Sequence, residues 1–514
     1  MKRLFLLRNR IKDSIKFRRL LFLDYIRHRE KKIKLVVTIF GSCRQDSISK
    51  NFIVTSIRDS LTYPHYSKEA IQAIKYCKSR GENTPSSLKV FRNNLLNIRM
   101  NSPDKLRKEF ERTDIFVVEI ASMLEYKKGD LFYHHIAGDL VDGIEIRKQE
   151  FEELREDILH IASLLSPKPV LFCTHYSTQN SGKRLELINY IEQVCKSHNM
   201  EFFNPSDANK VWESRILHED EVVISHFSKA GHEIMAGRYR EKLLSLNVNF
   251  ASFPLVQKYK PGIVLNDYHG LGDFIFGSLR MHQEAISRKR AAFIDVSEHP
   301  LSQFFTSTFV AGEKTITPIV QESYSNLFGK ASTIFTHLRP LRQIALSDVD
   351  FVLRNVFDPT DEFLEQIRKY QHSYDAQRQN YSIVHFRLGD EYMPKSVENA
   401  KILDSKQFDQ INEFVSRHSK DKRIIVASDS LELLNELDKM GHATLSGKVA
   451  HLGKEGQDPN AIRDTLLQFM IFKDASEIIQ VSNYGWGSGF SETAAILGQA
   501  PLVKVSFQSI EKKE

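Results

Sequence analysis

Short apolar runs separated by longer amphipathic stretches recur along this chain. Residues 34–40 (KLVVTIF), 114–120 (DIFVVEI) and 169–173 (PVLFC) are nearly continuous in apolar character over strand length, as expected of strands buried on both faces. Between and after them, residues 148–166 and 183–198 space their apolar side chains as a helix does, with charges on the other face. Strands alternating with helices predict a parallel sheet covered by helices, in a unit that closes near Leu246. Residues 248–261 read as a linker. A second series then begins with strands at 262–266 and 291–296 and helical segments through Arg378. A third places strands at 381–386 (YSIVHF), 423–427 (RIIVA), 477–481 (EIIQV) and 502–505. The expected organisation is an arm (1–33), an α/β domain (34–247), the linker, and two further α/β lobes (262–378 and 379–514). Neither an internal repeat nor a low-complexity tract interrupts it.

Length and composition agree with several domains: 514 residues exceed one ordinary domain, and 41% hydrophobic with 27% charged residues is globular usage. The net charge of +7 is unevenly placed. Thirteen Lys and Arg stand against three acids in the first 34 residues, a larger excess than that of the whole chain, so the remainder is slightly acidic. Nucleic-acid binding by the body is therefore not expected. The arm interleaves Leu4, Phe5, Ile11, Ile15, Leu20 and Phe22 with its cations. Such a basic amphipathic segment either lies on an anionic membrane surface or packs its apolar stripe on the first domain. Its apolar stretches are too short to span a bilayer, which takes about 20 residues, and no small-residue cleavage site follows them. Cys43, Cys77, Cys173 and Cys195 form no CxxC pair and no His/Cys ligand spacing, so neither a disulfide framework nor a metal site is expected. A cytoplasmic protein, peripheral on the inner membrane face if the arm binds lipid, fits these features.

Candidate chemistry concentrates after the third series of strands. The segment His385-Phe386-Arg387-Leu388-Gly389-Asp390 leaves a strand and turns. An arginine just beyond a strand's carboxyl end sits where open α/β sheets take ligands, and its fork can hold diphosphate oxygens without losing its proton. Ser428-Asp429 ends the next strand. Residues 481–491 (VSNYGWGSGFS) form a Gly-rich loop before a helix, offering backbone N–H groups to a phosphate. The same residues also admit a core histidine at 385, a structural Arg387–Asp390 pair, and aromatic packing around Tyr484, Trp486 and Phe490.

This ordered set resembles the α-1,2/α-1,6/protein O-fucosyltransferase superfamily. His385 to Asp390 is similar to its H-x-R-x-G-D motif, Ser428-Asp429 to its S/T-D element, and residues 463–491 to its D…L…S-x-F-S region. Upstream, His269-Gly270-Leu271-Gly272-Asp273 resembles its opening G-L-G-N segment. Asp273 stands where that family has Asn, as in the opening of bacterial heptosyltransferases, and Leu388 follows Arg387 where a second Arg is common. The resemblance, over roughly residues 262–510, implies a GT-B pair of Rossmann-like lobes, an inverting reaction without metal or cofactor, and GDP-fucose or another nucleotide sugar as donor. It implies that Arg387 binds the β-phosphate and that His385 and Asp390 shape the donor site. Ser488, Gly489, Phe490 and Ser491 would line the nucleotide pocket, with Gly270 and Gly272 opening the first lobe. Asp273, Glu391 and Glu492 are candidate general bases, and the acceptor would be a glycan or lipid-linked saccharide.

In the first domain, Gly41-Ser42-Cys43-Arg44 follows a strand, and Ser225-His226 lies near the domain's end. A nucleophile on such a turn is exposed beside a helix start. The pair resembles the first and last blocks of SGNH/GDSL-type hydrolases of the G-S-C-bearing kind, which implies a flavodoxin-like three-layer domain. Cys43 then takes the nucleophile's position, Ser42 that of the aspartate and His226 that of the base. Val223 stands where the acidic partner should, leaving a Cys43–His226 dyad, aided by a hydroxyl such as Ser122. Acyl transfer to or from a sugar is the implied chemistry, and a degenerate binding domain is the alternative. For the chain as a whole the reading is a glycan-building transferase, against an esterase whose second half only binds glycan or a non-catalytic assembly protein.

Overall fold

The computed structural model describes residues 33–82, 89–177, 182–212, 216–217, 227–247, 255–258, 270–287, 292–296, 299–306, 340, 342–376, 380–389, 403–420, 422–447, 458–484 and 487–511. These divide into two compact units, Met1–Phe253 with Ser287–Ala291, and Pro254–Ile286 with Ala292–Glu514. The two lobes expected over 262–378 and 379–514 thus fall within one compact unit. The arm and the strand expected at 262–266 lie outside the described residues, as do His226, His269, Asp390 and Glu391.

In the first unit the strands are β1 (Ile33–Phe40), β2 (Phe52–Val54), β3 (Ile115–Ile120), β4 (Leu124–Lys128), β5 (Leu131–Phe132), β6 (Glu145–Lys148), β7 (Val170–Thr174) and β8 (Glu201–Phe203). Five of them form a parallel sheet in the order β2-β1-β3-β7-β8. Phe40 pairs with Val118, and Val118 with Phe172, so apolar side chains line up across one face. Helices α1 (Ser67–Lys78), α2 (Pro103–Glu111), α3 (Phe151–Leu165) and α4 (Lys183–Ser197) close that face with Ile74, Phe110, Ile158 and Ile191 in one core cluster. Each large side chain buried there contributes roughly 1.5–3 kcal/mol. Helix α5 (Lys229–Leu246) packs on the 3₁₀ turn Cys43–Lys50, and its Tyr239 hydroxyl donates to Gln45. Strands β4–β6 form a separate antiparallel ribbon that the apolar pattern did not suggest. Lysine, arginine and glutamate fill β4 and β6, so no apolar run marks them.

The second unit carries β9 (Leu255–Lys258), β10 (Ala292–Asp295), β11 (Phe305–Thr306), β12 (Asp358–Pro359), β13 (Ser382–Arg387), β14 (Ile424–Ser428), β15 (Glu477–Ser482) and β16 (Leu502–Ser506). The last four make a parallel sheet in the order β14-β13-β15-β16. Its helices are α6 (Leu271–Ser287), α7 (Leu346–Val356), α8 (Asp361–Ser373), α9 (Ser405–His418), α10 (Leu431–Lys439), α11 (Pro459–Asp474) and α12 (Gly489–Gly498). Alternation along β13 sends Val384 and Phe386 into a core with Ile411 and Val415 of α9 and Leu433 of α10. His385 points the other way, its ring 5.2 Å from Phe472 of α11. The sheet is thus covered on both faces. Side-chain caps start several helices where chain composition allows: Asp404 accepts from Gln407 N at 2.8 Å before α9, and Ser102 from Lys105 N at 3.3 Å before α2. A buried Asp348 in α7 ties α6 down, accepting from Gln283 at 3.0 Å and lying 2.8 Å from His282 Nδ1. Mixed α/β structure built on parallel sheets is what the strand pattern predicts, and β1, β3, β7, β10 and β13 to β16 begin and end within about a residue of the apolar runs, whereas β9, paired in parallel with β10, falls in the segment read as a linker. Among the described residues no helix is long and apolar enough to cross a membrane.

Candidate functional site

In the second unit the chain runs from β13 to β14 on one side and then crosses to β15 on the other. The carboxyl ends of β13 and β15 therefore diverge at a topological switch point, the crevice where open α/β sheets bind ligands. Arg387 ends β13 there, in register with Ser482 at the end of β15. Its guanidinium pairs with Asp429, which follows β14, and lies 5.7 Å from the centre of the Tyr484 ring. The Asp429 carboxylate also accepts the amides of Leu388 at 2.9 Å and Gly389 at 3.0 Å. One acid thus fixes both the turn after β13 and the direction of the arginine fork. Ser428 sits beneath it, donating to Phe386 O at 3.0 Å and accepting from Ser430 N at 3.0 Å.

After β15 the chain enters α12. Ser488 is its N-cap residue and makes no side-chain cap bond. Ser491, fully buried, lies 2.5 Å from His385 Nδ1, strapping the helix start to the central strand. Phe490 packs 5.1 Å from both Phe469 and Phe472 and 6.3 Å from His385, so its ring belongs to an aromatic cluster under the helix. Burial, with Arg387 adding to it against Asp429, pushes His385 down to about 4. The imidazole is neutral at pH 7 and serves as a hydrogen-bonding strap rather than a cation for phosphate. Because the folded state lowers this histidine from 6.5, the unfolded chain binds the extra proton between about pH 6.5 and 4. Stability present above that window is lost as pH falls through it, by an amount of order 3 kcal/mol. Urea melts from pH 4 to 7 should show this slope in wild type, reduced in His385→Gln. An unchanged slope in the variant would count against the burial of His385 as its cause.

The Gly-rich opening of α6 meets the same place. A Cβ at Gly272 would stand 2.5 Å from the carbonyl carbon and 2.6 Å from the carbonyl oxygen of Gly489. The backbones at the starts of α6 and α12 are thus in direct contact, and only glycine permits that approach. Gly270 caps the turn, its carbonyl accepting from Phe274 N at 3.1 Å. Asp273 is half-buried in the first turn of α6. Glu492, in the first turn of α12, pairs with Lys504 at 3.3 Å.

In the first unit the strand order also reverses, between β1 and β3. Glu119, fully buried within the otherwise apolar β3, takes the amide of Ser42 at 2.5 Å, and a Cβ at Gly41 would come within 2.7 Å of its own Cβ. His175, just past β7, has Nε2 3.3 Å from Glu119 Oε1, while Arg44 donates to its Nδ1. Burial, with Arg44 next, drives His175 well below the usual histidine range. The His65 carbonyl accepts the amides of Ala121 and Ser122 at 2.8 and 3.0 Å. His134 and His135 flank its ring, with centroids 5.4 and 4.3 Å away. Burial first, then the neighbouring histidines, pushes His65 down to about 3 and His134 to about 2.

The residues expected to act here fare differently. Cys43 is exposed, but desolvation and Asp46 raise its thiol, with Arg44 opposing, which works against a thiolate. The turn it opens is 3₁₀ and capped by Ser42, whose Oγ accepts from Arg44 N at 3.3 Å. Ser122 Oγ accepts from Leu124 N at 2.9 Å and so shapes the turn after β3. His226 lies outside the described residues. Sequence reading passed over Glu119, His175 and the three neighbouring histidines. A glutamate inside an apolar strand run was the one available signal, since charged side chains are seldom buried without a partner. Compared with known proteins, the chain matches no protein-family model and no curated protein.

Proposed function

We propose that the second unit is a glycosyltransferase using a nucleoside-diphosphate sugar, most like the fucosyltransferases in its motif and hence taking GDP-fucose or a related donor. The observation that carries the proposal is Arg387 at the switch point between β13 and β15, its fork fixed by Asp429, on the strand whose His385 bonds Ser491 in the first turn of α12. Departure of a diphosphate from a sugar C1 leaves negative charge on the leaving group. A preorganised guanidinium and first-turn amides stabilise such charge with no reorganisation during the reaction. Neutral His385 and Ser491 hold those amides against the strand. Of the candidate bases, Asp273 is favoured, because the helix it opens touches the start of α12. It would take the acceptor hydroxyl's proton as the new glycosidic bond forms.

The setting proposed with it is assembly of a cell-surface or capsular glycan at the inner face of a membrane. Acyl transfer through Cys43 and His226 in the first unit has weaker support, given the raised thiol. Titrating the full chain with GDP-fucose, GDP-mannose, ADP-heptose and UDP-sugars tests the reading. Saturable binding of one nucleotide sugar is expected. A chain that binds none of them would overturn it.

A further inference from the structure

We propose that His65, His134 and His135 form a binding site for one divalent transition-metal ion of the zinc class, held by three imidazoles. Each residue offers one ligand atom, and these atoms all lie within 4.8 Å of one another. Tetrahedral zinc, with bonds of about 2.0–2.1 Å, sets its nitrogens roughly 3.4 Å apart. Small ring rotations therefore close the set on a central ion. Three imidazoles without a thiolate or a carboxylate suit zinc, copper or nickel rather than calcium or magnesium.

Packing alone leaves this cluster unexplained. Buried histidines ordinarily have both ring nitrogens hydrogen-bonded or one of them on a metal. Here His134 Nε2 and His135 Nδ1 are both buried with no hydrogen-bond partner. The other nitrogen of His134, Nδ1, accepts the Ile136 amide at 3.4 Å, and the Tyr63 backbone also hydrogen-bonds this ring.

The scaffold under His65 is equally fixed. Its carbonyl takes two amides from the end of β3, and its own amide donates to Glu69 at 3.1 Å. Charges of both signs act on the cluster: Glu119 and Arg44 on His65, Arg92 and Asp139 on His135. The cluster also stands at the carboxyl end of β3, beside the reversal of strand order, where a ligand of this sheet would be expected. Three protein ligands leave a coordination position for water or substrate, as in catalytic rather than structural zinc sites. Nothing in this inference depends on sugar transfer by the second unit.

The test uses the full chain without a polyhistidine tag, stripped with chelator and then titrated with Zn²⁺ and Co²⁺. One zinc per chain is expected, with visible d–d bands on cobalt substitution and a rise in unfolding temperature on zinc addition. His65→Gln and His134→Ala should each weaken zinc binding by at least about 100-fold, while His418→Ala, in the other unit, should leave it unchanged. His65→Gln is the deciding variant, because its side chain is half-buried whereas that of His134 is fully buried. Near-UV circular dichroism establishes that the variant is folded. A wild-type chain that takes up no zinc, or a folded His65→Gln chain that binds it as tightly as wild type, overturns the site.

Discussion

Arg387→Ala is expected to lower kcat/KM for sugar transfer by roughly 10²–10³-fold or more, the scale of removing one preorganised donor from a developing anion. That is about 3–4 kcal/mol of transition-state stabilisation. The fold should survive, because the side chain keeps 23% of its surface at a strand end and Asp429 retains the amides of Leu388 and Gly389. Arg387→Lys should recover only part of the loss, since an ammonium keeps the charge but not the two-pronged geometry. Asp429→Asn should act on the same fork indirectly. It removes the charge that orients Arg387, and it is expected to reduce turnover more than donor affinity. The readout is initial rate against donor concentration for the four proteins, with melting temperature alongside. Wild-type turnover in Arg387→Ala would remove the basis of the transferase proposal.

Gly272→Ala is expected to be the most disruptive single methyl in the second unit. The added carbon would overlap backbone atoms of Gly489, which cannot swing aside as a side chain can. Overpacking of that kind costs about 1–3 kcal/mol, and relief requires the start of α12 to move away from α6. Donor affinity should therefore fall by at least about 10-fold together with the loss of stability. The reverse substitution separates this from a general intolerance. A Cβ at Gly489 would have its nearest neighbour, Gly272 Cα, at 3.7 Å, an ordinary contact. Gly489→Ala should accordingly fold and bind much as wild type. Equal behaviour of the two variants in denaturant melts and donor titrations would show that the contact does not matter.

Much of the scaffold around these residues could be read from the chain. Strands buried on both faces must be apolar nearly throughout, so β1, β3, β7, β13, β14 and β15 stand out as runs whatever surrounds them. The charged ribbon β4–β6 has no such signature. It is specified by pairing, as between Glu125 and Arg147, whose side chains meet at 2.7 Å. The turn after β13 was likewise legible from His385, Arg387 and Gly389.

Sequence by itself determined which apolar runs become the buried strands and which amphipathic stretches become helices over them, because that choice follows from periodicity within a dozen residues. It also marked the arginine at the end of β13 and the glycines at the starts of α6 and α12. Only the tertiary structure decided what these residues meet. Asp429 reaches Arg387 because β14 lies beside β13, although 42 residues separate them along the chain. Gly489 meets Gly272 because two helices begin at one point, and His65 joins His134 and His135 because the end of β3 anchors its loop. Contacts of that range are set by strand order and packing, which leave no local pattern in the chain.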